Sequence, residues 1–160
     1  MKYDYIIGID TGTNTGVAVW DTAGKRFIEI RCEKIHKAFN LVHNYHHERG
    51  KILVRVEDAR QRKWFGNAGR SQLQGAGSIK RDATIWNDFL DDLGCDFEMV
   101  APKNNTTKLP PDTFRRITGV TILTEREAKK KGYNYPNAFV VNHTTDKEHC
   151  IDAAMLVYGY

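Results

Sequence analysis

YDYIIGIDTGTNTGVAVWD, residues 3–21, is the stretch on which the fold turns. An apolar run from Tyr3 ends in an acid, Asp10. The polar Thr11-Gly-Thr-Asn-Thr-Gly16 follows, and a second strand-like run spans Val17 to Asp21. Two apolar runs around a Gly- and Thr-rich break predict a β-hairpin with a polar turn. A third run, Arg26 to Cys32, follows Gly24 and completes a three-stranded antiparallel meander.

Working outward, Ile35, Phe39, Val42 and Tyr45 recur at helical spacing, which predicts a helix from His36 to Glu48, stopped near Gly50. KILVRVE, Lys51 to Glu57, is a fourth strand and again ends on an acid. Residues Asp58 to Gln74 show no period and are rich in Arg, Lys, Gly and Gln, as in an exposed functional loop. Ile79, Ala83, Trp86, Leu90 and Leu93 then follow 4-3-4-3 steps, so a long helix covers Ser78 to Leu93, with Gly94 as its stop. Phe97 to Val100 is a fifth strand. A polar, Pro-containing region over residues 101–121 holds one short helix, Asp112 to Thr118, ended by Gly119. Thr124-Glu-Arg-Glu127 is a capping box that opens a short helix through Lys131. A second box, Thr145-Asp-Lys-Glu148, opens a closing helix to about Tyr158. This order predicts one α/β domain over residues 1–160, an RNase H-like fold whose five-stranded mixed sheet is flanked by helices on both faces.

A chain of 160 residues, 41% hydrophobic and 28% charged, has the composition of a globular protein. No apolar run approaches the roughly 20 residues that span a bilayer, so no membrane segment is expected. MKYDYIIGID carries acids and does not resemble a cleaved signal peptide, which favours a cytoplasmic location. Cys32, Cys95 and Cys150 are widely spaced and odd in number, which fits buried reduced thiols better than a disulfide framework or a zinc site. A net charge of +4 permits a polyanion partner without requiring one.

Three carboxylates stand where elements converge: Asp10 ends the first strand, Glu57 the fourth, and Asp152 lies on the last helix. If strands one and four are neighbours, Asp10 and Glu57 project side by side, and their repulsion is costly unless a divalent cation neutralises it. Hard oxygen ligands suit Mg²⁺, with Mn²⁺ as a substitute. Two ions per site would activate water and stabilise the leaving oxygen in phosphodiester hydrolysis. His149 and Asp152, at i and i+3, share a helix face, so His149 could ligate the second ion or move a proton. The bland alternatives are a solvated or capping acid for Asp10 and for Glu57, and a surface histidine for His149. Asp152 sits within the apolar Ile151-Asp-Ala-Ala-Met-Leu156, where a charge needs a partner. Asp58, Asp146, Asp91 and Asp92 read as solvated or capping acids.

Ile-Gly-Ile-Asp-Thr-Gly at 7–12 with Thr15-Gly16, Val-Glu-Asp-Ala-Arg at 56–60 and His-Cys-Ile-Asp-Ala-Ala-Met-Leu at 149–156 resemble the RuvC-type Holliday junction resolvases, especially their bacteriophage and prophage branch. The resemblance covers nearly the whole chain. It implies that Asp10, Glu57 and Asp152 are metal ligands and that His149 fills a position where the family accepts an acid or a histidine. It also implies a homodimer that grips a four-way junction and makes paired symmetric nicks, leaving 5′-phosphate and 3′-hydroxyl ends. Cellular members carry an aromatic residue shortly after the second acid. Here Asp58-Ala-Arg-Gln-Arg-Lys63 comes first and Trp64-Phe65 later, and residues 101–121 match the cellular pattern poorly.

The expected partner is branched DNA. Arg60, Arg62, Lys63 and Arg70 surround Trp64 and Phe65, combining phosphate-binding charge with faces for an unpaired base; a solvated loop around a half-buried Trp is the alternative. Gly75-Ala-Gly-Ser78, read as preceding the long helix, could receive a phosphate beside Lys80 and Arg81, or be a plain helix entry. Lys103, Lys108, Arg115 and Arg116 are further phosphate contacts. The row Ile79, Ala83, Trp86 and Leu90 is either packed core or dimer surface. Three rival functions remain: a less selective flap or branched-DNA nuclease, a non-catalytic branched-DNA-binding module, and a fragment of an actin-like or sugar-kinase ATPase. The turn after Asp10 resembles the first phosphate loop of those ATPases, but the chain lacks the length for a second lobe.

Overall fold

The computed structural model describes residues 2–61, 70–130 and 137–160, with the side chains of 70–76, 79 and 103 left aside. Strands β1 (Tyr5–Asp10), β2 (Asn14–Asp21) and β3 (Arg26–Lys34) form the meander. Helix α1 (Ile35–Glu48), strand β4 (Ile52–Glu57), helix α2 (Arg70–Leu93) and strand β5 (Asp96–Val100) follow. The sheet order is β3-β2-β1-β4-β5, antiparallel across β3-β2-β1 and parallel across β1-β4-β5. That is the mixed five-stranded sheet of an RNase H-like fold. Strand β2 begins earlier than the apolar pattern suggests, since Asn14, Thr15 and Gly16 already pair with Lys34, Glu33 and Cys32 of β3.

Helices α3 (Pro111–Thr118) and α4 (Glu125–Lys130) and the closing α5 (Asp146–Met155) complete the chain. They are interleaved with two four-residue strands that the sequence pattern did not predict, β6 (Thr121–Thr124) and β7 (Ala138–Val141), paired in parallel as a second sheet. Gly119 ends α3 in the left-handed region, φ 73°, where the missing Cβ removes the steric cost. The first capping box forms as expected: the Thr124 amide donates to Glu127 Oε2, and the Glu127 amide to Thr124 Oγ1. The second does not. Thr145 makes no side-chain cap, and Asp146 instead accepts the His143 amide at 2.9 Å. The expected loop over 58–74 also differs, because Ala59–Gln61 is a 3₁₀ turn and α2 already runs from Arg70.

Period-two alternation divides β1 and β4 between two cores. Ile7 and Ile9 with Val54 and Val56 face α1 and α2, packing on Val42, Trp86 and Leu90. Ala83, Trp86 and Leu90 are fully buried within the chain, so these three are core and not a dimer surface, while the Ile79 side chain lies outside the described residues. Ile6 and Leu53 point the other way, onto Ile151, Ala154 and Val157. By the same alternation Asp10 and Glu57 fall on the α5 side, at the carboxyl ends of adjacent parallel strands, where open α/β sheets place their sites.

Two glycines set how closely α5 approaches. A Cβ on Gly8 would lie 2.1 Å from the Ala153 carbonyl oxygen, and one on Gly16 would lie 2.0 Å from that of His149. Gly16 pairs directly with Asp10 across the hairpin. The absence of side chains there lets the α5 backbone rest on the sheet beside Asp10.

Candidate active site

Asp10, Glu57, His149 and Asp152 line one cavity of about 170 Å³, together with Thr11, Lys108 and Glu148. The four residues singled out from the sequence are thus brought together by β1, β4 and α5. Asp10 is followed by the reversal into β2 and Glu57 by a 3₁₀ turn over Ala59–Gln61; the Asp58 amide donates to the Val100 carbonyl at 2.8 Å.

His149 Nδ1 lies 2.7 Å from Asp10 Oδ2. A carboxylate only accepts, so Nδ1 carries a proton; Nε2 is an acceptor in the neutral ring and a second donor in the imidazolium. The hydrogen bond to Asp10 raises the His149 pKa above its usual value, with the nearby negative charges adding to it and burial opposing it. Asp152 Oδ1 accepts the Lys108 amide at 2.7 Å. Burial pushes the Asp152 carboxyl up to about 6 and Asp10 and Glu57 raise it further, while the Lys108 amide and His149 pull the other way. Glu57 is only 2% exposed. Its Oε2 accepts from the Asn105 side-chain amide at 3.2 Å, and the same amide reaches the Asp152 carbonyl oxygen at 3.3 Å.

Among the described residues, no three His, Cys, Asp or Glu side chains stand in geometry to hold one metal ion. Asp10 is turned to His149 and Asp152 to the Lys108 amide. The donor chemistry nonetheless fits a hard divalent cation: three carboxylates and an imidazole share a small cavity, and the Asp152 carboxyl is raised partly by the other two acids. Asn105 Oδ1 adds a buried oxygen with no hydrogen-bond partner. Asp10, Glu57, Asp152 and His149 are the groups that could hold such an ion after side-chain rotation.

The other acids have different roles. Asp58, read as solvated or capping, is buried at 3% and gripped by Arg60 at 2.7 and 3.0 Å and by Gln61 at 3.1 Å, which hold its carboxyl below the usual range against the cost of burial. Asp146 is buried and acts as a cap, while Asp91 and Asp92 are exposed. The thiols are free among the described residues; burial raises Cys32 to about 12 and Cys95 to about 11, and raises Cys150 as well.

Of the expected DNA contacts, Lys108 lines the acidic cavity. Arg60 spends the Nε–Nη2 edge of its guanidinium on Asp58. Lys80 and Arg81 are exposed on α2, and Arg115 and Arg116 on the last turn of α3, where Arg115 approaches Asp112 at 3.8 Å and Arg116 donates to Thr113. Gly75 to Ser78 lie inside α2, so their amides belong to a helix interior and form no entry for a phosphate. Arg62, Lys63, Trp64 and Phe65 lie outside the described residues, as do the side chains of Arg70 and Lys103. Two participants escaped the sequence reading: Asn105, in a run of polar residues with no period, and the Lys108 backbone amide, which no side-chain pattern signals.

No protein-family model and no curated protein sequence matches this chain. Among solved structures it is similar to T. thermophilus RuvC in complex with Holliday junction substrate, with 15% identity over 96% of this chain and 90% of that one and a TM-score of 0.47.

Proposed function

We propose that this chain is a divalent-metal-dependent endodeoxyribonuclease that acts, as a homodimer, on four-way DNA junctions. The observation that carries the metal-dependent nuclease is the convergence of Asp10, Glu57, Asp152 and His149 on one cavity at the ends of β1 and β4, with the Asp152 carboxyl lifted by burial and by its two acidic neighbours. Such a set is electrostatically costly for the apo chain and suits a cation-dependent reaction. Mg²⁺ or Mn²⁺, two ions held by these four residues, would supply water activation and charge stabilisation at the scissile phosphate. The chain's own groups do the rest. Asp10 keeps the His149 ring oriented and protonated at Nδ1, which leaves Nε2 to hold or move a proton. Asn105 and the Lys108 amide hold Glu57 and Asp152 against the cavity wall. The Lys108 ammonium offers a phosphate the positive charge that the acids deny it.

Junction specificity, the homodimer and paired nicks with 5′-phosphate and 3′-hydroxyl ends draw support from the three motifs around Asp10, Glu57 and Asp152, which resemble the RuvC-type resolvases. A twofold enzyme also matches a near-twofold substrate. The test is cleavage of a synthetic four-way junction beside linear duplex, flap and single strand in Mg²⁺. Symmetric paired nicks confined to the junction are expected. Equal cutting of linear duplex overturns the resolvase and leaves a general nuclease; no cutting of any substrate, with junction binding retained, favours a binding module.

A further inference from the structure

We infer that Asn105 is a positioning residue for the acidic wall, holding Glu57 and α5 in the relative placement that cation binding needs. The inference rests on the metal-dependent nuclease reading. Its basis is one amide group that touches two elements far apart in sequence: Nδ2 donates to the Glu57 carboxylate at 3.2 Å and to the Asp152 main-chain oxygen at 3.3 Å. The amide cannot be reversed, because Oδ1 would then face two acceptors. In the orientation that satisfies Nδ2, Oδ1 is left buried without a hydrogen-bond partner. A purely structural asparagine would have little reason to sit where half of its polar capacity is unmet and the other half is spent on the site.

The backbone around it is built for the same end. After β5 the chain makes a 3₁₀ turn over Pro102–Asn104, closed by the Asn105 amide on the Pro102 carbonyl at 3.2 Å. It then reaches Lys108, whose φ of 56° is the left-handed conformation that a side-chain-bearing residue rarely adopts. In that conformation the Lys108 amide lies 2.7 Å from Asp152 Oδ1. Asp152 is therefore gripped twice by one four-residue segment, at its carbonyl and at its carboxylate, while Glu57 is gripped from the same side. Groups that orient metal ligands in this way commonly change metal affinity by about 10- to 100-fold when removed.

The test compares wild type with Asn105→Ala, Asn105→Leu and, as a control, Asn104→Ala, whose side chain is exposed in the turn. Mn²⁺ binding is measured by electron paramagnetic resonance without DNA, and the half-saturating Mn²⁺ concentration and kcat and KM for a four-way junction are measured separately. Asn105→Ala is expected to weaken Mn²⁺ binding about tenfold and to lower kcat, with KM for the junction within about twofold of wild type. Asn105→Leu, nearly isosteric and without a donor for Glu57, is expected to weaken Mn²⁺ binding to a similar extent. Asn104→Ala should match wild type. A folded Asn105→Ala that binds Mn²⁺ as tightly as wild type overturns the inference while leaving the nuclease intact. If Asn105→Ala does not fold, the nearly isosteric Asn105→Leu decides: unchanged Mn²⁺ affinity there overturns it equally. Wild type that binds no Mn²⁺ overturns both this inference and the reading beneath it.

Discussion

Replacing Asp152 by Asn should make the metal-free protein more stable. Asp152 titrates near 6 in the fold against 3.8 for the ordinary group, chiefly because burial disfavours its charged form. The folded state thus holds this proton more tightly than the unfolded state does. The sign follows: below about pH 4 both states are protonated and there is no cost, while between 4 and 6 the fold loses stability as pH rises. Above 6 the full cost is present. A rise from 3.8 to about 6 corresponds to about 3 kcal/mol, and partial solvent access screens that to roughly half, about 1.5 kcal/mol. Asn keeps an oxygen for the Lys108 amide and removes the charge, so the cost disappears without losing that hydrogen bond.

For a chain of this size about 1.5 kcal/mol corresponds to roughly 3–6 °C in Tm. The assay is thermal unfolding of wild type and Asp152→Asn in excess EDTA at pH 4.5, 6 and 8. The variant should melt several degrees higher at pH 8, with the difference closing towards pH 4.5. Added Mg²⁺ should raise the wild-type Tm and leave the variant nearly unmoved, because a ligand stabilises only the state that binds it. If Asp152→Asn melts at or below wild type at pH 8 in EDTA, or if the difference is the same at every pH, the electrostatic reasoning fails.

Further outcomes are open to direct measurement. Asp10→Asn should abolish junction cleavage while leaving junction binding in Ca²⁺ within a few-fold, as read by gel shift; wild-type turnover by this variant would remove Asp10 from the site. His149→Ala should be less stable than wild type near pH 5–6, by a margin that shrinks towards pH 9, because the raised His149 pKa gives stability that is complete at low pH and lost as pH rises through the folded value. Denaturant melts at the two pH values check the sign. Gly16→Ala drives a Cβ to 2.0 Å from the His149 carbonyl, so it should cost about 3 kcal/mol or more and lower cleavage with it. A Gly16→Ala protein with wild-type Tm would mean that α5 does not rest on the hairpin. Arg60→Ala strips the paired cation from buried Asp58 and should cost about 2–3 kcal/mol at neutral pH, a loss that a purely DNA-contacting Arg60 would not show.

The sheet was legible because its signal is redundant. Three apolar runs ending at Asp10, Asp21 and Cys32, a fourth ending at Glu57 and a 4-3-4-3 helix each obey one period, and the neighbouring acids mark strand ends. The convergence of Asp10, Glu57 and Asp152 followed from that order. What escaped has physical reasons. β6 and β7 have four residues each, too few for a period, and pair only with one another. α2 begins at Arg70 although Gly75 and Gly77 argue against helix there, since the pattern weighs local propensity and not the packing of the rest of the helix. Thr145 and Glu148 have the residue types of a capping box, but Asp146 reaches the His143 amide first. Asn105 carries no periodic, charge or motif signal, and its importance arises only when Glu57 and the Asp152 carbonyl come within reach of one amide.

The charge pattern of the cavity constrains how DNA and metal must cooperate in the proposed reaction. Three carboxylates and the adjoining Glu148 line it, against Lys108 and a half-exposed His149. A phosphodiester cannot enter such a field without gaining positive charge there. Affinity in the absence of divalent ions must therefore come from cations outside the cavity, such as Arg115 and Arg116 on α3, and should fall steeply with salt. Ca²⁺ should then strengthen junction binding and flatten its salt dependence in wild type. Asp10→Asn combined with Asp152→Asn should bind well in EDTA and gain little from Ca²⁺, because the charge that Ca²⁺ would offset has been removed. Junction titrations by fluorescence anisotropy at two salt concentrations, with and without Ca²⁺, measure all four terms. A wild type indifferent to Ca²⁺ would mean that the scissile phosphate does not approach these acids at all.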